Sequence, residues 1–401
     1  MEKTAPDIAV SRRQAFRTSF LREVRVMAHS PFYLLFNSLL PLATFVLFCA
    51  VFYQEIPHDL PVIVCDQDDS TLSRKFTRMA DATSSLQVIA TVQDPAEGAA
   101  MIRLGKAYAV FLVPAGLEQD LKRGETPAIV TYYNNAYLLA SGLVSRAARE
   151  VIGTLSAGLD LRSRMMKGES PAQALESYEP VKIDAHVLFN PNLNYRYLLL
   201  PSVLPSVLQA FILMVVVRSL GGELKHGTAG AWMHQSGGHT WAAVMGKLAP
   251  HTVCFIIMMV FMLVLLIRFA GIPMYGSLGL VLIASILFVL AYESLGLALV
   301  ALTSNLRLAN SLAGFIAGPA FAFAGITFPT VGMPLPARIW HNALPLSHYL
   351  HIFLDQALRG APIHASHHAL LALLLFSVLP PLLFVPRLAR QMRDPAFWGR
   401  L

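Results

Sequence analysis

The sequence predicts an α-helical integral membrane protein, with six transmembrane helices and an α/β domain inserted between the first two. Three observations predict this class. Hydrophobic residues make up 55% of the chain and charged residues only 14%, where a soluble domain carries about a quarter charged. Apolar runs long enough to cross about 30 Å of hydrocarbon recur along the chain. The segment after the first run is polar and alternates strand-like and helix-like patterns. The formal charge of +7 does not indicate nucleic acid, because the Lys and Arg residues gather at the ends of the apolar runs. The three cysteines, Cys49, Cys65 and Cys254, form no metal-binding spacing.

Residues 1–31 read as an amphipathic surface helix. Phe16, Phe20, Val24 and Met27 recur at helical spacing with arginines opposite, a pattern that also serves as a simple basic anchor. The stretch is expected not to be a cleavable signal, since its basic part is long and the apolar run after it is of full span length. The first span occupies 32–53, with Pro41 inside. The domain over 54–195 can bury its own core. LPVIVCD, LQVIATV, KAYAVFLVP and PAIVTYY read as strands. DDSTLSRKFTRMAD, DPAEGAAMIRLG and AGLEQDLKRG read as helices, followed by a long helix from Asn134-Asn135 to about Gly168.

The stretch from Phe189 to Trp232 links this domain to the remaining membrane region over 196–388. Further spans are expected near 197–217, 244–267, 278–303, 310–328 and 369–385. Gly221 and Gly222 are expected to break the second span at its interface, opening a loop over 221–240. Short segments on the side of the termini hold most of the basic residues, including Arg12, Arg22, Lys225, Lys247 and Arg390. That bias places both termini in the cytoplasm, with the 389–401 tail, and residues 54–195 outside. Residues 329–366 are too broken by Pro and Gly to cross and too apolar for a free loop, so a re-entrant outer segment is expected.

Four stretches carry a resemblance to ABC-2 type permeases, specifically the subgroup with a large extracytoplasmic domain between the first two spans. They are LREVRVMAHSPFYLLFNSLLPL; AYAVFLVPAGLEQDLKRGETPAIVTYYNN; FNPNLNYRYLLLPSVLP with GGELKHGT; and FAGITFPTVGMPLPARIWHNALPLSHYLHIFLDQALRGAP. Leu224, Lys225, His226 and Ala229 stand where such permeases usually carry more charge. The resemblance implies the permease subunit of an exporter in the bacterial inner membrane. It would move a hydrophobic or amphipathic substrate and pair with a second copy of itself or a similar permease. It implies a separate ABC ATPase subunit, and a periplasmic adaptor with an outer-membrane channel is a further partner to consider. No GxxxxGK[ST] occurs, so ATP is expected on the partner, with no cofactor, catalytic residue or metal in this chain.

In the loop, Glu223, Lys225, Gly227, Thr228 and Trp232 are the candidates for ATPase coupling. A short helix there would dock in a cleft of the ATPase, with Glu223 pairing to a basic residue of that partner; a solvated connector is the plainer reading. Glu293 stands out as the one ionisable residue deep within a span. With Phe323 and Phe328 it is a candidate for the translocation route or dimer interface, against a plain core role. Of the outer histidines, His348 and His351 share a helix face with Asp355, but the spacing matches no standard zinc site. A secondary transporter would carry more intramembrane charge and repeated halves. A sensor or scaffold would carry an output domain.

Overall fold

The computed structural model describes residues 10–53, 57–123, 125–166, 168 and 194–399. The chain forms two compact units, Met1–Tyr53 with Tyr195–Leu401, and Gln54–Asn194.

The first unit begins with α1 (Arg12–His29). Its capping box pairs the Ser11 side chain with the Gln14 backbone and the Gln14 side chain with the Ser11 backbone, satisfying first-turn donors. The buried face of α1 is not the one the hydrophobic period selects. Ala15, Ser19 and Glu23 are buried, while Phe16 and Val24 are each 39% exposed. A close helix–helix approach explains the change. A Cβ on Gly246 would collide with the Phe16 carbonyl, so the backbone of α1 lies directly against α9 at this point. After Ser30, α2 (Pro31–Val51) is a candidate span. Pro41 has no N–H to offer the carbonyl of Asn37, and the ladder widens to a π-turn over Leu35–Leu39. Asn37, inside that turn, is buried.

The second unit follows the expected alternation: β1 (Leu60–Asp66), α3 (Thr71–Asp81), β2 (Leu86–Val92), α4 (Pro95–Arg103), β3 (Ala109–Val113), α5 (Leu117–Arg123), β4 (Val130–Tyr133) and α6 (Leu138–Met166). The strands lie in the order β2-β1-β3-β4. β1 pairs parallel with β2 and β3, and β4 closes the edge antiparallel to β3. Val62, Val64 and Phe111 face one way and pack with Phe76 of α3 and Val144 of α6. Ile63, Cys65 and Val110 face the other way, against Met101 and Ile102 of α4. Strands buried on both faces explain the near-continuous apolar runs of β1 and β3.

The first unit resumes with α7 (Tyr195–Lys225), α8 (Ala229–Gln235), α9 (Thr240–Phe269), α10 (Leu278–Thr303), α11 (Leu306–Ala317), α12 (Leu335–Asn342), α13 (Pro345–Leu354) and α14 (Ile363–Arg393). Five helices among the described residues are long and apolar enough to cross a membrane: α2, α7, α9, α10 and α14. α7 is the central one, with 67% of its apolar window buried against 17% for α2 and 22% for α14. Gly221 and Gly222 do not break it. The helix runs through them to Lys225, because Gly221 sits against Leu306, where a Cβ would come within 2.9 Å of Leu306 Cδ1. The break comes at Gly227, whose φ of +68° reverses the chain into α8.

The expected span at 310–328 is represented by α11, capped by Asn305, and by one further turn, Ala320–Phe323, after Gly318-Pro319. The outer segment holds two helices. α12 has no buried residue, whereas α13 buries Leu346, Tyr349, Leu350 and Phe353. The Tyr292 hydroxyl of α10 accepts the Leu346 N–H at 3.2 Å, one of the first-turn donors of α13.

Candidate functional site

Three pairs of polar residues, each spaced one helical turn apart, converge where α1, α7 and α9 meet. They are Ser19 and Glu23 on α1, Ser219 and Glu223 on α7, and Lys247 and His251 on α9. Residues at i and i+4 project from the same side of a helix, so each helix presents two polar groups inward. Asn37, turned inward by the π-turn of α2, and Trp232 of α8 complete the group. Glu23, Asn37, Ser219, Glu223, Lys247 and His251 are all buried.

The charges are paired in a chain. Arg22 donates from both guanidinium nitrogens to Glu223, at 2.6 and 3.0 Å. Lys247 bridges the two carboxylates, donating to Glu223 Oε1 at 2.8 Å and to Glu23. His251 Nε2 lies 3.0 Å from Glu23 Oε1, and Ser219 donates to the same oxygen at 2.8 Å. The Asn37 amide nitrogen stands 3.0 Å from His251 Nδ1. A ring that accepts there carries its proton on Nε2 and donates it to Glu23. Two carboxylates thus face two fixed cations, and the cluster balances. Burial alone would raise the Glu23 carboxyl, but the His251 hydrogen bond and the Lys247 ammonium outweigh it and hold the group below the ordinary carboxylate range.

The loop is tied to this cluster. The Thr228 hydroxyl donates to Glu223 Oε2 at 2.5 Å, and the Trp232 indole N–H donates to Ser19 at 2.9 Å. Lys247 Nζ sits 5.1 Å from the centre of the Trp232 ring, within the range of a cation–π contact. The turn over 226–235 is thus hydrogen-bonded both to Glu223 and to α1.

The sequence-based candidates separate. Glu223, Trp232 and Thr228 come together, but two of them are not surface groups. Glu223 is 6% and Trp232 1% exposed. The Glu223 carboxylate, expected to be open to a basic residue of a partner, is met by Arg22 and Lys247 of its own chain. The short helix does not carry Glu223 and Lys225 either. Both belong to the last turn of α7, and α8 begins at Ala229. Lys225 and Gly227 are half-buried, and the exposed loop positions are His226, Thr228, Ala231, His234, Gln235, Gly237 and Gly238.

Glu293 on α10 is 4% exposed. Thr252 of α9 donates to its Oε2 at 2.7 Å, while Oε1 has no partner among the described residues. It is not the one ionisable group buried on a span, since Lys247 and His251 of α9 are buried too. Phe323 and Phe328 lie in the segment between α11 and α12. The Phe323 carbonyl stands 2.7 Å from His341 Nδ1, and Phe328 is 51% exposed. His351 and Arg359 flank Asp355 at 3.0 and 2.7 Å. Among the described residues, no group of three or more His, Cys, Asp and Glu could hold a metal ion.

Sequence reading missed Arg22, Glu23, Lys247, His251 and Asn37. One signal was legible: Lys247 and His251, one turn apart in an otherwise apolar helix.

Comparison with known proteins bears on this site. A family model described as ABC-2 family transporter protein matches residues 31–385. The chain is also similar to the probable multidrug ABC transporter permease YbhR of Escherichia coli, in strain K12 and in O157:H7. Each is 22% identical over 318 residues, covering 79% of this chain and 82% of the relative.

Proposed function

The chain belongs to the ABC-2 family of transporter proteins and is the permease subunit of an ABC exporter; from that premise we propose that the Arg22–Glu223–Lys247–Glu23 cluster is the joint through which a separate ATPase moves the spans. The observation that carries this reading is the position of Glu223. It ends the central helix α7, accepts from the exposed turn through Thr228, and is clamped to α1 by Arg22. The ATPase would press on the solvent side of the turn, at His226, Ala231, His234 and Gln235. Lys225, Gly227 and Thr228 lie beside them.

Around this joint we assign a bacterial inner-membrane protein of six spans, with α11 and the turn after it as the short fifth. Both termini are cytoplasmic and the α/β domain is external, an orientation supported by the arginine bias. A second copy or a similar permease is needed, because one set of six spans does not enclose a two-sided path. ATP hydrolysis is assigned to the partner, as this chain carries no phosphate-binding loop. The relatives' description as probable multidrug permeases supports a hydrophobic or amphipathic substrate. Glu293, with Phe323 and Phe328, is assigned to the route or the dimer interface. The exposed Tyr132 and Tyr133 of edge strand β4 support a role for the outer domain in binding an adaptor that leads to an outer-membrane channel.

The test is Glu223→Gln and, separately, His234→Glu, in the reconstituted permease–ATPase complex. Glu223→Gln is expected to uncouple hydrolysis from export with the ATPase still bound. His234→Glu is expected to weaken ATPase binding. Unchanged coupling and unchanged binding in both variants would make the turn a passive connector.

A further inference from the structure

We propose that a cavity at the terminal end of the spans holds the phosphate headgroup of an anionic phospholipid. The cavity, of about 440 Å³, lies among the first turns of α1 and α9 and the last turns of α14. Arg12, His239, Thr240 and Trp241 line one side, and Pro386 and Ala389 the other.

Cationic groups converge on it from separate elements. The Arg12 guanidinium has no hydrogen bond or ion pair among the described residues. Arg393 is held at the rim, donating to the Gly238 carbonyl at 2.8 Å. On α14, Pro386, Ala389, Arg390 and Arg393 share one side at i, i+3, i+4 and i+7, and Arg390 is exposed. The turn that places Gly238 and His239 here cannot be filled in. Gly237 and Gly238 have φ of +57° and +73°, and a Cβ on Gly237 would come within 2.6 Å of Val10 Cβ. Among the described residues, no carboxylate is paired with Arg12, Arg390 or Arg393.

The cavity's surroundings select a lipid over a free anion. From Trp241, 42% exposed, an uncovered apolar stripe runs down α9 through Met245 and Val253. From Pro386 a second runs back along α14 through Leu382 and Leu379. Both helices are candidate spans, so acyl chains lie along these stripes directly beside the cations. An indole at the boundary is the side chain favoured at headgroup depth, and arginines beside a span attract anionic headgroups.

The experiment places the full chain in phosphatidylcholine nanodiscs with increasing phosphatidylglycerol brominated near its headgroup. Quenching of Trp241 is read as the difference from Trp241→Phe. Quenching is expected to saturate at a lower fraction of brominated phosphatidylglycerol than of brominated phosphatidylcholine. Arg12→Gln is expected to raise that fraction about fivefold, the effect of one basic group at an anionic surface, and Arg12→Lys to restore it. Arg12 is exposed, and unpaired among the described residues, so these variants do not threaten the fold. Equal quenching by both lipids, or an unchanged Arg12→Gln curve, overturns the site. Trp241 emission that responds to inorganic phosphate but shows no preference for brominated phosphatidylglycerol overturns the lipid and leaves a soluble-anion site. No ATPase is present, so the outcome is independent of the coupling reading.

Discussion

Two buried carboxylates on neighbouring helices have opposite surroundings. Glu223, at the end of α7, meets Arg22, Lys247 and Thr228. Glu293, within α10, meets Thr252 alone and leaves one oxygen without a partner among the described residues. A buried charge is tolerated when its partners are fixed around it, and removing one partner exposes the full cost of burying the other. A carboxyl that accepts a single hydrogen bond has less to lose. The first site therefore reads as a joint whose members depend on one another. The second reads as a polar group with a single tie to its neighbours.

The sharpest way to break this contrast is Lys247→Met. It leaves Glu23 and Glu223 buried without the cation between them, and should cost about 3–5 kcal/mol, seen as a lowered unfolding midpoint in detergent. Adding Glu23→Leu should recover part of the loss; if the double variant is no better, the two charges are not coupled. Gly246→Ala comes next. Its methyl meets the Phe16 carbonyl, so α1 must shift from α9 at about 1–3 kcal/mol. Proteolysis within α1 should quicken, and an unaltered digestion rate would show that the seam is loose.

A smaller effect follows from pH. The Glu23 carboxyl is held below its usual range, so the stability it contributes is present above the unfolded value of about 4.3. That stability is lost as pH falls through the lower folded value. Below about pH 4, the wild type should therefore lose stability more steeply than Glu23→Gln. Parallel pH profiles would remove Glu23 from the balance. Smallest of all is Glu293→Gln, which keeps an acceptor for Thr252 and should change stability by less than about 1 kcal/mol. A loss as large as that of Lys247→Met would place Glu293 in a paired network and erase the contrast.

Much of the architecture was legible in the chain. Long apolar runs have few stable solutions other than spanning helices, because every backbone polar group must be satisfied within the segment. The alternation after the first span was equally readable, since β1 and β3 must be apolar to be covered on both faces. The candidate site was legible only at Glu223, Thr228 and Trp232, and there with the wrong surroundings. The hydrophobic period of α1 pointed to Phe16 and Val24, whereas a close seam against Gly246 selected Ala15, Ser19 and Glu23. Arg22 and Glu223 are 201 residues apart, and Lys247 and Glu23 are 224 apart. Local pattern reports which side chains share a helix face, but not which faces meet. Composition and periodicity alone determined a membrane protein with an inserted α/β domain. Only the packing of α1 against α7 and α9 decided that Glu223 turns inward, because a charge is paired by whatever lies within a few ångströms of it, however distant along the chain.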